Sequence, residues 1–155
     1  MARARLGVIS DTHGLLRPEA LRALRGVDLV IHAGDVGSPE VLDGLRAVAR
    51  VVAVRGNNDT GAWARALRLH ETVETGGVKL FVIHDVKTLR GQPAARGARV
   101  VIAGHSHRPS IDERDGVLFL NPGSAGPRRF TLPISVATLI VRDGRVRARL
   151  VPLVV

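Results

Sequence analysis

Leu6-Gly7-Val8-Ile9-Ser10-Asp11-Thr12-His13-Gly14 passes from an apolar run straight into a polar cluster, and Val30-Ile31-His32-Ala33-Gly34-Asp35 makes the same change. Short runs this rich in Val, Ile and Leu read as strands of a sheet covered on both faces. Leu6 to Ser10, Val27 to Ala33 and Val51 to Arg55 are three of them. Pro18 to Leu24 reads as a helix with proline in its first turn, and Ser38 as the N-cap of a second helix running from Pro39 to about Val48. Strand and helix in alternation make these strands parallel, with right-handed crossovers.

The second half changes character. Leu69 to Thr75, Gly76-Gly77 and Val78 to Ile83 read as a hairpin. A Gly- and Pro-broken helix from Thr88 to about Arg96 and a strand from Val100 to Ala103 follow. Asp115-Gly116 and Asp143-Gly144 are hairpin turns, the second joining Val136–Val141 to Val146–Leu150. The expected fold is α/β: two mixed β-sheets packed as a sandwich flanked by helices, in one domain over residues 1–155.

Composition narrows the function. No apolar run reaches about 18 residues and the apolar stretch near the N-terminus is too short for a signal peptide, so the expectation is a cytoplasmic protein with no membrane partner. Cysteine is absent, which excludes disulfides and thiolate ligands. The net charge is +9, and 21 of the 23 basic residues are arginine. Such a surplus either attracts phosphate-rich ligands or records a GC-rich genome. One Trp, three Phe and no Tyr leave few surfaces for stacking bases, which favours the second reading.

Five polar clusters follow the apolar runs: Asp11-Thr12-His13, Gly34-Asp35, Gly56-Asn57-Asn58-Asp59, His84 and Gly104-His105-Ser106-His107. Strand ends along one edge of an α/β sheet are where ligands bind. Asp11/His13 and His105/His107 are two apart, and on an extended backbone such positions point the same way. Asp35, at a strand end, is placed to bridge two ions. Of the seven candidate ligands Asp11, His13, Asp35, Asn57, His84, His105 and His107, only the two aspartates are anionic. Two divalent cations would therefore keep a surplus of about two positive charges, which acidifies water and attracts phosphate. Nitrogen and oxygen donors favour Mn, Fe, Ni, Co or Zn over Mg or Ca. His32, inside an apolar strand, reads as a core or supporting histidine, and His70 as a surface one. Asp59 either orients a ligand histidine or caps its loop.

In that order the motifs resemble those of the calcineurin-like metallophosphoesterase superfamily. Val30–Asp35, Val54-Arg55-Gly56-Asn57 and Leu120-Asn121-Pro122-Gly123-Ser124 are similar to the small YfcE-like phosphodiesterases, the branch that includes a retromer subunit. The resemblance implies that Asp11, His13 and His107 hold one ion, that Asn57, His84 and His105 hold the other, and that Asp35 bridges them. It implies a phosphodiesterase with two divalent transition metal ions, manganese foremost, acting by in-line attack of a metal-bridging hydroxide on a small phosphodiester. Relatives also suggest a homodimer or higher homo-oligomer. Asn58 stands where many members carry a histidine thought to assist the leaving group; an amide donates a hydrogen bond but delivers no proton. Asn58 is accordingly the candidate for binding a phosphate oxygen. His84-Asp85 stands where relatives often show His-Gly-His. Rival functions are a phosphomonoesterase, which Asn58 disfavours, a non-catalytic interaction module of the same fold, and a nuclease or nucleotide phosphodiesterase. The last needs a basic groove beside the metals.

Overall fold

The computed structural model describes residues 3–155 and folds them into two five-stranded mixed sheets packed face to face. In the first sheet β1 (Ala4–Ile9), β2 (Leu29–His32) and β3 (Arg50–Ala53) lie parallel, in the arrangement the βαβαβ pattern predicts. β9 (Ser135–Arg142) runs antiparallel on the free side of β1, and β10 (Arg145–Pro152) completes the sheet through the Asp143-Gly144 hairpin. In the second sheet β4 (His70–Thr75) and β5 (Val78–Ile83) form the expected hairpin. β6 (Ala98–Ile102) and β8 (Val117–Asn121) lie parallel to β5, and β7 (Ser110–Arg114) is an edge strand paired with β8.

Alternation along the strands sorts their side chains into layers. Leu6, Val8 and Ile31 of the first sheet meet Leu80, Val82 and Ile102 of the second in the central core. On the outer face of the first sheet, Ile9 and Val30 pack under α1 (Pro18–Ala23) and α2 (Pro39–Arg46) through Leu24, Leu42 and Leu45. The outer face of the second sheet has a smaller cluster built on Phe81, Val101 and Val117.

Two local expectations are corrected, and one element is added. Ser38 stands at the N-cap position, but its side chain makes no capping hydrogen bond and the helix ends at Arg46. The helix expected over Thr88–Arg96 is instead two short 3-10 turns, Val86–Thr88 and Pro93–Arg96. Gly91 at φ +75° and an extended Gln92 separate them, because a residue before proline avoids the helical region. A single helical turn, α3 (Ala62–Arg65), carries no sequence signal strong enough to foresee.

Candidate metal centre

All six parallel strands end on the same edge of the sandwich, and the polar clusters lie there. β1 leads into Asp11 and His13, β2 into Asp35, and β3 into Asn57; β5 leads into His84 and β6 into His105 and His107. The loop after β8 lies against them: Ser124 Oγ donates to the Asp11 carbonyl and the Ala125 N–H to the Ser10 carbonyl. The Asn121-Pro122-Gly123-Ser124 turn thus braces the floor of the site.

The pairs two apart do not lie on extended backbone. Asp11, His13, Asp35, His105 and His107 all occupy the left-handed region, with φ between +47° and +70°. Asp and His enter that region more readily than most residues, yet each such position costs energy that the surroundings must supply. Here they do. The Asp11 and His13 N–H groups donate to Gly34 and Asp35 carbonyls, and Gly104 N–H donates to the His84 carbonyl. Glycine permits the close approach: a Cβ on Gly104 would collide with Ser10 Oγ and Asp11 Oδ2, and one on Gly56 with the Asp35 carboxylate and backbone.

The seven candidate ligands converge. Asp11 Oδ1 lies 3.4 Å from His107 Nε2 and 3.9 Å from both His13 Nε2 and His84 Nε2. Asp35 Oδ2 is 3.4 Å from His84 Nε2 and 3.7 Å from His13 Nε2, so it sits between the two groups of imidazoles. Asn57 Oδ1 is 2.9 Å from His84 Nε2 and 3.2 Å from His105 Nδ1. Asp11, His13 and His107 form one set with metal-ligand spacing; Asp11, Asp35 and His84 form another.

The protons explain why a cation fits. His84 Nδ1 is 2.7 Å from the Ala33 carbonyl, which only accepts, so that nitrogen carries the hydrogen. Nε2 then faces two oxygens, Asn57 Oδ1 and Asp35 Oδ2, a position that takes either a second proton on His84 or a cation. Asp11 Oδ1 is buried and has no hydrogen-bond partner, whereas Oδ2 accepts from Ser10 Oγ and the His105 N–H. Buried unsatisfied carboxylate oxygens are costly. A divalent ion satisfies both positions.

Charge shifts agree. Burial works to raise the Asp35 carboxyl, but hydrogen bonds from His84 and from the Asn58 backbone and side chain outweigh it, holding the group well below the usual carboxylate range. Asp11 is lowered in the same way, with burial opposed by His107 and Ser10. Burial works to lower His84, but Asp35 and Asp11 prevail and raise it. His32 is fully buried and lowered to about 4 by desolvation, which nearby Asp11 and Asp59 only partly offset. It is a supporting histidine: Nε2 lies 3.0 Å from Thr12 Oγ1, and Nδ1 accepts from the Gly34 N–H.

Asp59 makes no hydrogen bond or ion pair with a candidate ligand histidine among the described residues. Its carboxylate accepts from the Val36, Gly37 and Gly56 N–H groups, tying the Asp35 loop to the Asn57 loop. Asn58 donates through both its backbone N–H and its side-chain amide to Asp35. His70 is exposed, as expected of a surface residue. Ser10 and Thr12 support the site, through Asp11 Oδ2 and His32 Nε2, without a sequence signal beyond their place beside the candidate ligands. Asp85, named in the sequence only as a departure from His-Gly-His, lies 3.8 Å from His105 Nε2.

An α/β sandwich with carboxylate, amide and imidazole groups converging at its strand ends defines a metal-site protein of the phosphoesterase kind. A profile of the calcineurin-like phosphoesterase superfamily domain matches residues 4–144, and the chain belongs to that superfamily. It is 40% identical over 161 residues to a Methanocaldococcus jannaschii protein named "Probable metallophosphoesterase", covering 96% of this chain and 81% of that one. Among solved structures, an archaeal phosphodiesterase aligns at 27% identity over 95% of this chain and 99% of its own, with TM-score 0.78. Entamoeba histolytica Vps29 in complex with zinc aligns at 26% identity over 96% and 98% of the two chains, with TM-score 0.72. No helix among the described residues is long and apolar enough to cross a membrane.

Proposed function

We propose that this protein is a phosphodiesterase that holds two divalent cations, manganese foremost, with Ni, Co, Fe or Zn as alternatives. The buried Asp11 Oδ1 carries the reading, because it is without a hydrogen-bond partner where imidazoles from both sheets converge. Asp11, His13 and His107 are the ligands proposed for one ion; Asn57, His84 and His105 for the other, with Asp35 between them. Bound there, the ions supply positive charge to phosphoryl oxygens and acidify water.

The remaining steps belong to the chain. Asn58 holds Asp35 through one amide N–H, which leaves the second for a phosphoryl oxygen. Because position 58 delivers no proton, diesters with acidic leaving groups are the best substrates. Thr12 and the Gly34 N–H hold His32 neutral under the site. Manganese-loaded protein is expected to cleave bis(p-nitrophenyl) phosphate, and Asp35→Ala to lose both that activity and bound metal. Inert wild type, or an Asp35→Ala variant as active as wild type, contradicts the reading.

The zinc complex of Vps29, a protein named for sorting, supports a second reading as a metal-binding interaction module. Wild type that binds two ions yet leaves every diester intact selects it.

A further inference from the structure

A cleft of about 740 Å³ opens beside His105 and continues from Gly104 and Ser106 onto the outer face of the second sheet. That volume falls within the roughly 300–1,000 Å³ of small-ligand sites. Its apolar floor includes Val101, Ala103 and Phe119, and Phe130 stands at its edge. Two of the chain's four aromatic side chains, Phe119 and Phe130, therefore line a cleft that adjoins Gly104, His105 and Ser106; a smaller cleft beside His84 has only Phe81.

Lys87, Arg108, Arg114 and Arg129 bring positive charge to the same walls, against Asp85 and Asp112. Asp112 is paired with Arg114 at 3.1 Å, and Asp85 faces His105. Lys87, Arg108 and Arg129 make no ion pair among the described residues. The Arg114 guanidinium lies 4.1 Å from the Phe119 ring centroid, and its outer plane is a further surface for a flat ring. Phe130 is 86% exposed with φ +54°, a left-handed conformation that is rare for a bulky residue. Its display contributes nothing to core burial. Arg129 and Phe130 lie on the loop whose other end braces Asp11 through Ser124 and Ser10 through Ala125, so the centre and the cleft share one structural element.

Another basic surface lies over the β9–β10 hairpin at Arg142, Arg145 and Arg147, but without an aromatic group. Antiparallel pairing of β9 with β1 puts that hairpin at the opposite end of the sheet from Asp11.

Resting on the diesterase reading of the adjacent centre, the geometry points to nucleotide diesters as the substrate class. The base meets Phe130 and the Arg114–Phe119 stack, and a phosphate beyond the scissile one meets Arg108 and Arg129. The scarcity of aromatic residues, which in the sequence weighs against base stacking, is offset by the placement of two of them here.

Thymidine 5′-(p-nitrophenyl phosphate) and methyl p-nitrophenyl phosphate share a leaving group and differ in the nucleoside arm. Wild type loaded with manganese is expected to favour the thymidine ester by about tenfold in kcat/KM, the size of one stacking contact. Phe130→Ala and Arg114→Ala, at exposed positions that the proposal assigns to the base, should shrink that ratio chiefly through KM. Equal kcat/KM for the two esters, or variants that alter both alike, overturns the cleft proposal and leaves the diesterase reading standing. Calorimetric titration of AMP into the same proteins separates the opposite case. If neither ester is cleaved but AMP binds several-fold more weakly to Phe130→Ala, the cleft stands and the diesterase reading falls.

Discussion

The two sheets contribute unequally to the centre. The first brings Asp11, His13, Asp35 and Asn57, and so both carboxylates; the second brings His84, His105 and His107, and no anion. Neither set is complete alone. Cross-sheet hydrogen bonds join them: the His105 N–H donates to Asp11 Oδ2, and His84 Nδ1 donates to the Ala33 carbonyl. The sheets differ also on their outer faces. Two helices bury the first, while two 3-10 turns and an open cleft cover the second. The covered sheet carries the negative charge, and the open one leaves room for a substrate arm.

Removing the buried anion tests this division most severely. Asp11→Asn should reduce diester hydrolysis by more than the roughly 10–100-fold that outer partners of metal ligands cost. An assay with p-nitrophenyl diesters, beside metal analysis, checks it. Asp59→Asn touches only the loops of the first sheet, where one carboxylate serves three N–H groups. It should weaken metal binding by about 10–100-fold without abolishing it. If Asp59→Asn proved as damaging as Asp11→Asn, the distinction between ligand and brace would fail.

Stability should show the same asymmetry. Leu45 is fully buried under the first sheet, and Leu45→Ala should cost about 2–5 kcal/mol. Leu89, half-buried on the second, should cost less than about 2 kcal/mol when cut to Ala. Urea denaturation of both variants measures the difference, and equal costs would break the comparison.

His32 supplies a pH dependence. Its folded value is lowered to about 4 from 6.5, so between these values the unfolded chain binds the extra proton. Stability contributed by the neutral, buried ring is complete above pH 6.5 and is lost as pH falls toward 4, by on the order of 3 kcal/mol. A denaturation series across that window should show a shallower slope for His32→Asn than for wild type.

Much of this was legible in the sequence because strand signals and ligand types are local. The runs ending at Ser10, Ala33 and Arg55 predicted parallel strands, and the polar residues after them met at one edge. What escaped depends on tertiary contact. The left-handed backbone at Asp11, His13, His105 and His107 arises from packing between loops, which a two-residue spacing does not encode. Asp59 read equally as a partner of histidine or of its loop until three N–H donors appeared around it. Ser38 had the chemistry of a cap, yet its side chain makes no capping bond. Phe119 and Phe130 are 11 positions apart in sequence, and nothing local unites them in one cleft.

The central claim is a pair of cations held across the joint between the sheets. Crystals grown with manganese and measured for anomalous scattering test it directly. Two difference peaks per chain flanking the Asp35 carboxylate, one beside His13 and His107 and one beside His84 and His105, are the predicted result. A single peak, or none among these seven side chains, contradicts it.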